Sequence, residues 1–165
     1  MRLDANPEKH PDILAFVPPL PAHVLEHRWD VIEMNHFMAS INFWDARELL
    51  KQVWQVLTPG GKLVIETPDI AFCMKHFLMK DTHAYFEKFE EPVSTTGSWQ
   101  PGQLDMWGLW GNPATQDVKT SNKWGYTPGS LRQMLVECGF EEIHIHDRPA
   151  EYHVPVRDFR MEAYR

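Results

Sequence analysis

Residues 30–66 set the tightest limit on what this chain can become. Asp30-Val31-Ile32-Glu33-Met34 is a short run, β-branched at its centre, and reads as a strand. Asn42 then stands where a helix N-cap belongs, with Asp45 three residues on, in the position that reaches back to the cap. Ala46, Leu49, Leu50, Val53, Trp54 and Leu57 recur at the spacing of one buried helix face. Thr58-Pro59-Gly60-Gly61 ends that helix, because proline cannot continue it and glycine accepts a left-handed turn. Lys62-Leu63-Val64-Ile65-Glu66 is a second strand. A strand, a helix of about four turns and another strand make a βαβ unit, with parallel strands and a right-handed crossover.

The flanking segments extend that unit. Arg2-Leu3-Asp4 reads as a strand end running into an Asn6-Pro7 turn, and Ile13 to Val17 as a short strand closed by Pro18-Pro19-Leu20-Pro21. Residues 70–91 are expected to be helical, with a break near Lys80-Asp81. Between 92 and 123 the periodicity fails in a stretch rich in Gly, Pro, Ser, Thr and Asn that also carries Trp99, Trp107 and Trp110. A loop of that length in a compact domain ordinarily has a function. Thr127-Pro128 opens another helix, with Leu131, Met134, Leu135 and Cys138 as its buried stripe and Gly139 as its stop. Two alternating strands close the chain. In the first, Ile143 and Ile145 share a face opposite His144 and His146; in the second, Phe159, Met161 and Ala163 oppose Arg160 and Glu162. They are expected to pair antiparallel at a sheet edge.

Length and charge narrow the function classes. A chain of 165 residues fits a single domain over 1–165, with residues 92–124 as a tryptophan-rich cap or insertion. A domain of this size buries about 70% of its unfolded surface and needs no metal or disulfide to fold. The net charge of −7 argues against a nucleic-acid surface. No long apolar run or signal-like start is present, so a cytoplasmic location with no membrane partner is expected. Cys73 and Cys138 sit in apolar helical patterns and read as reduced core thiols.

In an open parallel sheet, ligands bind beyond the carboxyl ends of the strands. That rule selects residues 4–7, 34–37 and 67–70. Asp4 has the chemistry to accept two hydrogen bonds from a ribose diol, or to serve as an ordinary turn residue. Asn35 and His36 offer polar contacts or a base, or else cap the strand end. Asp69 reads as the cap of the following helix. A metal reading is weaker. His144 and His146 with His153 offer same-face ligands, but alternating histidines on an edge strand are ordinarily solvated. His23 and His27 flank a proline-rich stretch where no helix is expected. No metal is assigned.

Several motifs in register resemble one family. Leu3-Asp4-Ala5-Asn6-Pro7 resembles the second-strand exit of the class I S-adenosylmethionine-dependent methyltransferases, and Trp29 to His36 resembles their fourth strand. Val56-Leu57-Thr58-Pro59-Gly60-Gly61-Lys62-Leu63 is similar to their turn before the fifth strand, and Trp124-Gly125-Tyr126-Thr127 with Gly139-Phe140 to a late segment. The resemblance implies an α/β, Rossmann-like three-layer sandwich, mostly parallel with an antiparallel C-terminal strand pair and truncated at its N-terminus. It implies methyl transfer from S-adenosylmethionine to a small-molecule acceptor, with Asp4, Asn6, Phe16, Asn35 and His36 as cofactor contacts and His36 as the catalytic residue. Trp107, Trp110, Lys123 and Tyr126 would form the substrate cap, an apolar lid that excludes water.

The sequence also departs from that family. No Gly-x-Gly turn precedes Asp4, Phe16 stands where an acidic residue is usual, Ala39-Ser40 replaces a Glu-His pair, and Asn122 replaces a histidine. A missing central strand would leave the Val31 to Met34 edge unpaired, and such edges recruit partners. A homo-oligomer, such as a homodimer, or a partner protein at that edge is therefore expected. The alternative function is the same fold serving as a catalytically inactive binding or regulatory subunit.

Overall fold

The computed structural model describes residues 3–4, 10–79, 103–111, 121–146 and 157–165. Strand β1 (Leu3–Asp4) pairs in parallel with β2 (Ile13–Leu14), Leu3 lying opposite Ile13. Strand β2 is shorter than the expected run to Val17. The pairing stops ahead of Pro18 and Pro19, which have no N–H to give a ladder. A short helix, α1 (Ala22–Leu25), follows Pro21 where no helix was expected. It forms because Val24 is buried and its carbonyl accepts the Trp29 indole N–H at 3.2 Å.

The βαβ unit has the expected form. Strands β3 (Trp29–Asn35) and β4 (Leu57–Pro68) are parallel, with Ile32 opposite Leu63 and Met34 opposite Ile65, and α2 (Phe43–Val56) connects them. Asn42 caps α2 by accepting the Asp45 N–H at 2.9 Å. Ala46, Leu49, Leu50 and Val53 are buried, while Trp54 is half-buried and donates its indole N–H to the Gly139 carbonyl. The Pro59-Gly60-Gly61 turn is continuous with β4. Gly60 takes a φ of +75°, and the turn is tied to the chain's last residue by Gly60 N–H to Arg165 O (2.9 Å) and Arg165 N–H to Gly61 O (3.0 Å).

Strands β5 (Glu141–His146) and β6 (Asp158–Tyr164) complete a four-stranded sheet of order β3-β4-β6-β5. Both late pairings are antiparallel, and β6 lies inside, between β4 and the outermost β5. One sheet face supplies Met34, Leu63, Ile65, Phe159, Met161 and Ala163 to a core shared with α2 and with Leu131, Met134 and Leu135 of α5 (Pro128–Glu137). Each fully buried aliphatic side chain contributes about 1.5–3 kcal/mol. Ile143 joins this core, but Ile145 on the same edge strand is exposed, beyond a register shift between Glu141 and His144. Thr127 and Ser130 form a capping box at the start of α5, and Gly139 ends it at φ +97°.

Alternation sends the other residues of β4 and β6 to the opposite face, where they form a charged ladder. Arg160 contacts Glu66 at 3.0 Å and Glu162 at 2.8 Å, and Lys62 Nζ reaches Glu162 at 3.2 Å. Val64, on the same face, is fully buried. His146 lies 3.4 Å from Glu162, and His144 packs its ring edge toward Tyr164. The fold is thus a mixed α/β, Rossmann-like sheet with parallel and antiparallel pairs.

Helix α3 (Ile70–Met79) realises the first part of the expected 70–91 helix; the remainder falls outside the described residues. Helix α4 (Gln103–Trp110) occupies part of the stretch expected to be irregular. Leu104, Met106, Trp107, Leu109 and Trp110 place apolar residues on every side of it, so no stripe marks it in the sequence. It packs on α3 through Gly108, where a Cβ would collide with Cys73 Sγ. Cys73 and Cys138 are buried thiols that form no disulfide among the described residues.

Candidate functional site

The carboxyl ends of β3 and β4 lie side by side, with Asn35 opposite Glu66. Because β6 runs antiparallel, its first residue, Asp158, arrives at the same end, opposite Pro68. Topology therefore collects residues from three strands at one edge of the sheet.

His36 follows β3 directly and adopts a φ of +53°, in the left-handed region. A side chain held there costs about 1–3 kcal/mol and persists only where neighbours fix it. Two contacts do so. The His36 N–H donates to the Glu66 carbonyl at 2.8 Å, and His36 Nε2 sits 3.3 Å from Asp158 Oδ2. The imidazole is about one-third exposed (35%), whereas the Asp158 side chain is fully buried. Arg157 donates to both Asp158 oxygens, Nε to Oδ1 at 2.6 Å and Nη2 to Oδ2 at 2.9 Å. The Arg157 carbonyl in turn accepts the Asp69 N–H at 2.8 Å, which joins the β6 start to the β4 exit. Asp69 caps α3, its Oδ1 accepting the Ala71 N–H at 2.9 Å.

The Asn122 to Tyr126 segment ties α4 to this cluster. Asn122 donates to the Gly108 carbonyl (2.9 Å), while the Lys123 N–H donates to Ala39 O (2.7 Å) and Lys123 Nζ to Ser40 O (2.7 Å). Trp107 is half-buried on α4 and Trp110 is 56% exposed. A Cβ on Gly108 would also come within 3.4 Å of Arg157 Cδ, so the cap helix rests on the arginine that holds Asp158. Tyr126 differs from its expected cap role. It is 1% exposed in the core, and burial pushes its phenol well above the ordinary range. The Tyr126 hydroxyl and Thr67 Oγ1 are buried with no hydrogen-bond partner among the described residues.

The other residues singled out in the sequence are more scattered. Phe16 lies beyond β2 and is 60% exposed. Asp4 is placed as a strand residue, with only its backbone described, and Asn6 lies outside the described residues. His27 Nδ1 approaches the His23 carbonyl at 2.6 Å, so that pair is taken up locally. His153 is outside the described residues, and among those described no group of three or more His, Cys, Asp or Glu could hold a metal. No described helix is long and apolar enough to cross a membrane. Asp158 and Arg157 escaped the sequence reading. Their one signal is a charged pair set immediately before the alternating strand that begins at Phe159.

No family model and no curated protein sequence matches the chain. Among solved structures, it is similar to an O-methyltransferase family protein from Burkholderia thailandensis, at 14% identity over 88% of this chain and 33% of the other, with a TM-score of 0.47. A SAM-dependent methyltransferase from Methanosarcina mazei gives 17% identity over 84% and 60%, with a TM-score of 0.48. Human N-acetylserotonin methyltransferase, solved in complex with SAM, gives 13% identity over 82% and 29%, with a TM-score of 0.45. The chain spans about a third of the length of the first and third of these proteins. These likenesses assign no residue a role.

The donor set suits S-adenosylmethionine only in part. Asn35, His36 and the exposed ring of Phe16 are of the kinds that contact ribose and adenine. The side chain of Asp4, the residue expected to meet the ribose, lies outside what is described.

Proposed function

We propose that this chain is a methyltransferase-like protein whose strand-end site serves methyl transfer from S-adenosylmethionine to a small-molecule acceptor. One observation carries the reading. The carboxyl ends of two parallel strands bring Asn35, His36 and Asp69 together with Asp158 from β6, beside a tryptophan-bearing helix, where open α/β sheets bind ligands. In this reading His36 is the catalytic residue, and Asp4, Asn6, Phe16 and Asn35 contact the cofactor. Trp107, Trp110 and Lys123 belong to the substrate cap, with Tyr126 packed beneath it. The chain alone binds the cofactor weakly, since Phe16 stands where the family that the sequence resembles usually has an acidic residue.

A partner docks at β3. That strand ends the four-stranded sheet, with Val31 and Glu33 exposed, and no described strand pairs with its outer edge. A second copy or another protein adds a strand there. Calorimetric titration with S-adenosylmethionine and S-adenosylhomocysteine tests the cofactor assignment. Heat that saturates in the high micromolar to millimolar range is expected, and no heat at millimolar ligand overturns the assignment. A hydrodynamic radius that stays monomeric over a wide concentration range, with the chain purified alone, counts against self-association.

A second reading, a non-catalytic binding subunit of the same fold, has its own support. The Ala39 carbonyl accepts both the Lys123 and Trp124 N–H groups, so the position where the family that the sequence resembles usually has a Glu-His pair serves here to tether the 122–126 segment. Micromolar affinity for the cofactor without turnover of any acceptor favours this reading.

A further inference from the structure

The tryptophans of this chain divide by how the fold uses them. Trp29 and Trp54 are half-buried, and each gives its indole N–H to a backbone carbonyl, at 3.2 Å to Val24 and 2.9 Å to Gly139. Trp44 and Trp124 stand instead 72% and 47% exposed, and both lean on a single ring. Phe43 meets Trp44 edge-on, with ring centres 5.1 Å apart and planes at 86°, and meets Trp124 at 5.3 Å with the planes at 58°. We propose that these three rings form a cage for a methylated, permanently charged ammonium group, such as the head of choline or a trimethylated lysine.

Local sequence builds the cage. Asn42 caps α2, so Phe43 and Trp44 are its first two residues and leave the helix about 100° apart. Phe43 packs against the core, while Trp44 projects to solvent. Trp124 is brought to the same ring by its N–H bond to the Ala39 carbonyl at 3.2 Å. Planes set at steep angles turn more than one π face toward a common point, and each face carries the negative end of the ring quadrupole. Carboxylates add to that field. Glu48 lies one turn from Trp44 on the same side of α2, and Asp45 stands in the first turn, where it offsets the positive helix N-terminus; both are exposed. The nearby cations are engaged in other contacts. Lys123 Nζ donates to the Ser40 carbonyl at 2.7 Å, Arg47 lies 3.3 Å from Glu137, and Lys51 stands 3.9 Å from Glu48 in an exposed pair that contributes little. A bare ammonium holds its hydration shell too tightly for indoles to replace, whereas methyl groups spread the charge and pack on ring faces. The inference does not rest on the methyl-transfer reading.

The test follows the indole N–H resonances of the full chain by NMR during titration with choline. Dimethylbutanol is the control, with the same shape and carbon in place of the quaternary nitrogen. Loss of one signal in Trp44→Leu, at an exposed position, identifies the Trp44 resonance, and Trp124→Leu identifies its partner. Choline is expected to shift both signals saturably in the millimolar range, with an affinity for dimethylbutanol about tenfold lower. Trp44→Leu is expected to weaken choline binding, read at Trp124, by about tenfold, and Glu48→Gln to weaken it several-fold. Equal midpoints for choline and dimethylbutanol overturn the proposal, as does an affinity for choline that Trp44→Leu leaves unchanged, or no saturable shift at all. A short peptide bearing trimethyllysine that binds more tightly than choline assigns the group to a protein side chain, and tighter binding of choline assigns it to a free small molecule. No methyl donor enters the experiment, so a chain that binds no S-adenosylmethionine passes or fails here independently.

Discussion

Arg157 grips Asp158 through both carboxylate oxygens, at 2.6 and 2.9 Å, with both side chains almost wholly buried. Removing one member of a buried pair leaves the other charge without compensation, which costs about 3–5 kcal/mol. Asp158→Ala is therefore expected to lower unfolding free energy by that amount in a urea melt. His36→Gln, at a partly exposed position, is expected to cost under about 1 kcal/mol. Equal losses from the two would show that His36, rather than the arginine, is the structural partner of Asp158.

The charged ladder makes stability depend on acid. Burial pushes the Glu162 carboxyl up, but hydrogen bonds from Arg160 and Lys62, with the charges of Lys62 and His146, outweigh it and hold the group at about 2 against its ordinary 4.5. Folding thus favours the ionised form. That contribution is complete above pH 4.5 and is lost as pH falls through about 2. Urea midpoints measured across this window should decline in the wild type and decline less in Glu162→Gln. Parallel declines would remove Glu162 from the account.

The central βαβ unit was legible because every signal in it is local. The Asn42 cap, the apolar stripe from Ala46 to Val53 and the proline-glycine stop each act within a few residues, and each is realised. Helix α4 was illegible because its residues are apolar on all sides and lie in a stretch of loop-like composition. The partnership of His36 with Asp158 was illegible for a different reason. It depends on β6 inserting between β4 and β5, a matter of sheet order that no periodicity records. The resemblance implies a cap role for Tyr126, yet its carbonyl accepts the Ile70 N–H and its ring lies in the core.

The contact between α3 and α4 depends on a missing side chain. At Gly108 an added Cβ would overlap Cys73 Sγ, with Arg157 Cδ and Pro68 Cβ next nearest at ordinary contact distance. Gly108→Ala is expected to destabilise by about 1–3 kcal/mol, as overpacking does. Pairing it with Cys73→Ala should recover part of that loss in the same melt. An unchanged loss in the double variant would place the strain at Arg157 instead.

Tyr126 buries a hydroxyl with no partner among the described residues. Tyr126→Phe keeps the ring and removes the polar atom, so stability should stay level or rise by up to about 1 kcal/mol. A loss above about 1 kcal/mol would mean that the hydroxyl is hydrogen-bonded in solution.

Ligand binding at the carboxyl ends of β3 and β4 is tested most directly by amide NMR during titration with S-adenosylhomocysteine. The largest shifts are expected at residues 35–37 and 67–70, around the turn that carries His36 and the cap of α3. Shifts gathered instead at Asp30, Thr58 and Arg165, at the opposite end of the strands, or none at millimolar ligand, would contradict it.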